Sequence, residues 1–338
     1  MRHTTSCCGS NQRKRLGTRT GMNMAGTVPE QVIEAMAKRP MRMHHALWHI
    51  SRQGWSSFPE ATRAVFREHG WEPPRPALTI NNQIECDNAA GEDFLFMHRQ
   101  MIGEVNKILA ELGDPRNPRV QGWQSIPTPS DAEYPVPAPF VTGDAGLDNA
   151  IASAKTEEAF TRIRQWEDQF TDTAVLRRMT LGQLGAAIEF TIHNRMHLRW
   201  AARQPEYRVS TDPFNVNPKW DKPSYDFLAD FYSSHVNPIF WKLHGWVDAR
   251  IDDWMEANQH NGPVPWTVTP WVGPMTSGHE HHHIARHALR TPGDEGEAEA
   301  LSRQVDALEA TINDVKATGT PEPTPFLVDV DWSFDRPT

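Results

Sequence analysis

The stretch TLGQLGAAIEFTIHNRMHLRW, residues 180–200, decides how the chain is read. Thr180 and Gln183 have the spacing of a capping box, in which each side chain satisfies a backbone N–H near the helix start. Leu181, Leu184 and Ile188 continue as an apolar stripe, so a helix over 180–203 is predicted with that stripe turned to a core. Glu189, His193 and His197 then follow at steps of four. A carboxylate and two imidazoles therefore fall on or beside the face that should be buried. Buried polar groups need partners, and two imidazoles one turn apart are placed to share one metal ion. One HxxxH is weak alone, because 16 histidines in 338 residues produce such pairs by chance. Its plain reading is a pair of core or surface residues, and only inward histidines on other helices change that.

Working outward, the periodicity predicts further helices near 41–52, 58–69, 94–112, 148–170 and 239–257, after a short first helix ended by Pro40. This is a mainly α chain, a helix bundle. In FLFMHRQMIGEVNKIL, residues 94–109, His98 lies on the stripe of Leu95, Ile102, Val105 and Leu109. In MHHALWHI, residues 43–50, His45 and His49 make a second i, i+4 pair, with His44 as the rival of His45. In IFWKLHGWVDARIDDW, residues 239–254, His244 shares a stripe with Phe240, Val247, Ile251 and Trp254. Each lone histidine reads most simply as a core residue bonded to a carbonyl. Six of them on four helices divide instead into two sets of three. Sites built from imidazole alone favour copper or zinc over magnesium, calcium or non-haem iron.

At this point the chain resembles the type-3 copper proteins, the superfamily of tyrosinases, catechol oxidases and hemocyanins. HNRMH at 193–197 is similar to the family's HNxxH motif, and NPIFWKLHGWVD at 237–248 to its DPxFxxxHxxxD segment. GEDFLFMHRQMI at 91–102 resembles the arthropod form, whose HxxxH pair is matched by His45 and His49. The resemblance implies a four-helix bundle holding two copper ions, one on His45, His49 and His98 and one on His193, His197 and His244. It implies an O2-dependent oxidase of a phenolic or o-aminophenolic small molecule, with a hemocyanin-like O2 binder or a non-catalytic copper protein as alternatives. Two positions depart from the pattern. Ala89 stands where tyrosinases carry a first-copper histidine, and Asn237 where the family usually has Asp. Asn194 matches the asparagine that, with an acid, holds a water beside the second copper in tyrosinases, and Glu189 is the candidate acid; its other reading is an ion pair to Arg195 or Arg199. Asp248, one turn after His244, is the candidate acceptor that orients that ring.

Composition sets the frame around this site. With 38% apolar residues the chain buries a large core. Its net charge of −9, with a basic run only at 13–19, points away from nucleic acid. No apolar run reaches the roughly 18 residues of a membrane span, and no signal peptide is visible, so a cytoplasmic protein is expected. Cys7, Cys8 and Cys86 are too few for a disulfide framework. Residues 1–27 read as a disordered tail in which Met22 and Met24 are alternative starts, 28–290 as the copper-binding domain, and 291–338 as a C-terminal helix and extended tail. Long loops are expected at 114–141 and 206–224, with ordered coil at 261–275, where four prolines exclude a helix. The cluster HEHHHIARH at 279–287 reads as a solvated loop or a second metal-loading element, and FLVDVDW at 326–332 as a strand.

Overall fold

Capping chemistry sets where the helices begin. The computed structural model describes residues 28–208, 212–274 and 295–319, and their regular structure is helical, with one isolated antiparallel bridge between Leu78 and Ile84. The elements are α1 (Glu30–Met36), α2 (Arg39–Gly54), α3 (Glu60–Glu68), α4 (Ala90–Leu112), α5 (Ala145–Ala154), α6 (Glu157–Thr171), α7 (Thr173–Leu176), α8 (Leu181–Ile188), α9 (Asn194–Trp200), α10 (Pro238–Ala257) and α11 (Glu295–Ala317). The capping box of α8 forms as its spacing predicts: Gln183 N donates to Thr180 Oγ1 and Thr180 N to Gln183 Oε1.

Three expectations need correction. Pro40 does not end the first helix: α1 stops at Met36, and Pro40 sits in the first turn of α2, where its missing N–H has no intrahelical partner to lose. The single helix expected over 148–170 is two, because Asp144 and Thr156 each cap a new start by accepting from Leu147 N and Ala159 N. The helix expected over 180–203 ends at Trp200 and widens in its middle into a π turn over Glu189–His193. There Thr191 Oγ1 donates to Ala187 O at 2.5 Å.

α4 and α8 cross at glycines. A Cβ on Gly91 would strike the Gly182 carbonyl and the Ala186 nitrogen, and one on Gly185 would strike the Gly91 carbonyl. Backbone approach this close brings α4 and the α8–α9 helix near enough for short imidazoles to meet between them. α10 packs on α4, α8 and α9, and its outer side takes the proline-rich loop, where Gly122 meets Gly245 and Trp123 N donates to Lys242 O. α2 closes the group through Arg52, which donates to the Ala90 carbonyl at 2.7 Å.

The coil after α10 is pinned at the start of α4: Thr267 N and Oγ1 donate to Glu92, Trp271 N to Asp93, and Arg75 pairs with Asp93. α11 docks on α2 and α3 through buried Leu308, Ile312 and Val315, and Glu309 pairs with Arg39. No helix among the described residues is long and apolar enough to cross a membrane. The expected tail over 1–27, the histidine cluster His279–His287 and the strand at 326–332 lie outside the described residues.

Gly185→Ala should cost about 2–3 kcal/mol, because backbone has to move to admit the methyl. Gly103→Ala, on the facing α4 but with nothing near its Cβ, should gain about 1 kcal/mol from helix propensity. Urea unfolding of the two variants checks this; equal effects would mean that the α4–α8 crossing is not tight.

Candidate metal centre

Six histidine rings from four helical segments converge on one buried volume. α2 carries His45 and His49, α4 carries His98, the π turn and α9 carry His193 and His197, and α10 carries His244. One ring nitrogen from each of His45, His49 and His98 lies within 4.8 Å of the others, and the same holds for His98, His193 and His244. His98 thus stands in both groups, stacked on His244 with centroids 4.4 Å apart. His197 joins through His193, with their Nε2 atoms 3.1 Å apart, and His193 Nε2 is 3.0 Å from His244 Nε2.

What each ring's other nitrogen touches decides the chemistry. His45 Nδ1 meets the Phe231 carbonyl at 2.6 Å, His98 Nδ1 the Phe94 carbonyl at 2.8 Å, His197 Nδ1 the Leu228 carbonyl at 2.8 Å, and His244 Nδ1 the Phe240 carbonyl at 2.9 Å. His193 Nδ1 meets Asn194 Oδ1 at 3.0 Å. All five partners are acceptors, so all five Nδ1 atoms carry the proton and all five Nε2 atoms present a bare lone pair. Three of those, on His193, His197 and His244, face one another at contact distance, and those of His45 and His98 are buried without a partner. Lone pairs turned on each other repel, and a cation among them removes the repulsion. Metal-binding histidines show this pattern, an outer N–H fixed by a carbonyl and the inner nitrogen free. The residues fit a metal bound by imidazole.

Burial keeps the rings neutral. Each of the six is at most 3% exposed. Loss of solvation lowers His45 to about 4, against the Phe231 carbonyl and Asp230, which raise it, and lowers His197 to about 3. Desolvation, reinforced by neighbouring imidazoles, holds His49, His98, His193 and His244 well below the ordinary range. Aromatic rings complete the enclosure: Phe240 stacks on His244 at 3.6 Å, Phe231 on His49 at 4.3 Å, and Phe94 lies 4.7 Å from His98 and 4.9 Å from His193.

The carbonyls of Leu228 and Phe231 come from one loop, which a second buried network fixes. Arg208 grips Asp230 with Nη2 at 2.6 Å and Nε at 3.0 Å, Tyr225 Oη donates to Asp230, and Arg42 donates to the carbonyls of Lys222, Tyr225 and Tyr232. A single loop thereby orients one ring from each expected set.

Of the histidines weighed in the sequence, His45 joins the cluster and His44 does not: His44 Nε2 bonds to the Val272 carbonyl and its ring lies against Trp71. Glu189 is fully buried, and its two oxygens accept from Arg52 at 2.9 and 3.2 Å, so the ion pair is to α2 rather than to Arg195 or Arg199. Its carboxylate ties the π turn to α2. Asn194 orients the His193 ring. Asp248 does not orient His244; it pairs with Arg99 at 2.6 Å, while the Phe240 carbonyl holds the ring. An i−4 carbonyl reaches Nδ1 without any help from an acid. Ala89, which lacks the tyrosinase histidine, is the left-handed N-cap of α4 beside Gly182.

Sequence reasoning missed His235. It is buried in a 3-10 turn before α10, 4.7 Å from the His45 ring, with Nε2 on the Met36 carbonyl. No helical stripe marks it; its only signal is a histidine three residues before Pro238.

Compared with protein-family models the chain matches none, and no curated protein is similar enough to it to count as a match.

The burial of these rings sets a pH dependence. Their folded-state pKa values lie below the unfolded value near 6.5, so below pH 6.5 the unfolded chain binds more protons and stability falls. Each ring that stays neutral contributes about 1.4 kcal/mol of loss per pH unit. Chelator-treated protein should hold constant stability from pH 8 to about 6.5 and lose it steeply between 6.5 and 4. Unfolding free energies at half-unit steps check this; a flat profile through that window would remove the neutral buried cluster.

Proposed function

We propose that the chain is a type-3 copper protein: α2, α4, α8 with α9, and α10 form a four-helix bundle whose histidines hold two copper ions, and it uses O2 to oxidise a phenolic or o-aminophenolic small molecule. His45, His49 and His98 hold one ion, and His193, His197 and His244 the other. The observation that carries this is the convergence of five bare Nε2 atoms whose outer nitrogens are all fixed by acceptors. Imidazole alone as donor selects copper or zinc, and the likeness of HNRMH and NPIFWKLHGWVD to type-3 copper motifs selects copper. Copper held by these six histidines would supply the electrons that reduce O2.

The protein's own groups do the rest. The carbonyls of Phe94, Leu228, Phe231 and Phe240 hold the rings in one tautomer and one orientation. Phe94, Phe231 and Phe240 keep water from the pair. A phenol with a pKa near 10 must lose its proton before it binds as phenolate. Glu189 is committed to Arg52 and Asp248 to Arg99, so neither carboxylate offers a free base for that step. This favours catechols and o-aminophenols, which are easier to oxidise, over monophenols. Burial favours a second reading, an O2 binder without substrate turnover, because the six rings are at most 3% exposed and a small diatomic needs less room among them than a phenol does.

The test is a copper count with O2 uptake. Loaded protein should carry two copper ions per chain, His98→Ala should lose one or both, and O2 should be consumed with catechol or o-aminophenol faster than with monophenol. Reversible O2 binding with no consumption of any substrate would establish the second reading, and unchanged copper in His98→Ala would overturn the site.

A further inference from the structure

One of the six rings is held differently from the rest. His49 Nδ1 faces no acceptor; at 3.4 Å it meets the amide nitrogen of Gln53. The identity of that amide atom follows from chemistry, because the same nitrogen lies 3.3 Å from Glu189 Oε1. A carboxylate already holding Arg52 with both oxygens accepts and does not donate, so the atom turned to it is the NH2. Gln53 and Glu189 are themselves buried, at 3% and 0% exposure, so no solvent stands in for either partner. A donor at Nδ1 leaves that nitrogen as acceptor and puts the ring proton on Nε2, the atom the other five keep bare. The ring does not turn away from this arrangement: Phe231 stacks on it within 5° of parallel, and Trp48 lies edge-on at 4.9 Å.

We propose that Gln53, turned by the Arg52–Glu189 pair, sets the tautomer of His49 and makes the His45, His49 and His98 position the weaker of two, filled second. The proposal rests on the two-metal reading of the cluster. In the His193, His197 and His244 group every outer nitrogen already has an acceptor, so metal binds with no rearrangement. At the other position a metal on His49 Nε2 requires the proton at Nδ1, where it would face the Gln53 NH2. Gln53 must then turn its oxygen to His49 and give up its bond to Glu189. Gln53 is thus a positioning residue whose effect on metal affinity is opposite to that of the usual outer partner: removing it strengthens binding.

The full chain would be titrated anaerobically with Cu(I) in competition with a chromogenic chelator. Two steps are expected, differing about tenfold or more; His45→Ala should remove the weaker and His244→Ala the tighter. Gln53→Met keeps the volume and offers only a weakly accepting sulfur, so it should strengthen the weaker step about five- to tenfold, one neutral hydrogen bond's worth, and leave the tighter step unmoved. Nitrogen-15 spectra of histidine-labelled, metal-free protein should give His49 alone among the six with its proton on Nε2. A purely structural role for Gln53 would instead weaken one or both steps. Equal constants, loss of the weaker step in His244→Ala, weakening in Gln53→Met, or a proton on His49 Nδ1 overturns the proposal. Failure of the wild type to take up Cu(I) overturns the two-metal reading and the filling order with it, while the nitrogen spectrum still decides the tautomer. Should Gln53→Met not fold, the wild-type titration and spectrum decide alone.

Discussion

An imidazole sealed from water has two nitrogens to satisfy, and the architecture is organised by giving the outer nitrogen of five rings an acceptor. Two rings, His98 and His244, take the carbonyl one helical turn behind them, which costs the fold nothing beyond a helix at the right register. Two others, His45 and His197, depend on carbonyls that only a loop supplies, and that loop must be rigid to be useful. Its rigidity comes from Arg208 and Asp230, a bidentate pair buried at 2% and 1% side-chain exposure, and from Arg42 drawing three carbonyls together. Buried charge here gives position more than stability, since desolvation consumes most of what such pairs gain in attraction.

The second buried pair works across the helices. Arg52 and Glu189 are 137 residues apart and share no solvent, and Arg52 also takes the Ala90 carbonyl, so one guanidinium joins α2, the start of α4 and the π turn. Its plane rests on Trp48, with the guanidinium carbon 4.4 Å from the ring centroid. Removing either partner would leave an uncompensated charge among neutral imidazoles, the costliest place for one.

The helices and the clustered histidines were legible because both obey one period. Leu181, Leu184 and Ile188 announce α8, and the stripes holding His98 and His244 put those rings inward as the structure has them. The i, i+4 step puts His45 rather than His44 on the face of His49, and the two rings meet there 4.7 Å apart. What periodicity does not encode stayed hidden. His235 lies in a 3-10 turn with no stripe, the carbonyls of Leu228 and Phe231 carry no side-chain signature, and the partner of Glu189 is fixed by packing between distant segments. The break between α5 and α6 was readable at Thr156, whose cap and two following glutamates outweigh the apolar period running through them.

The π turn at Glu189–His193 gives this helix a property that its residue types do not express. A π turn is an α-helix that has taken in one extra residue, so the residues beyond it keep the faces of an α-helix one residue shorter, about 100° from where the unbroken count would turn them. Glu189 opens the turn and faces Arg52 on α2, while His193, which closes it, and His197 beyond it face the rings of α4 and α10. Insertion and deletion therefore bear on this helix differently from substitution. Losing a single residue from the turn would return it to plain α-helix and leave His193 and His197 facing the cluster, so a comparison by residue spacing would score as altered a site that the geometry had kept.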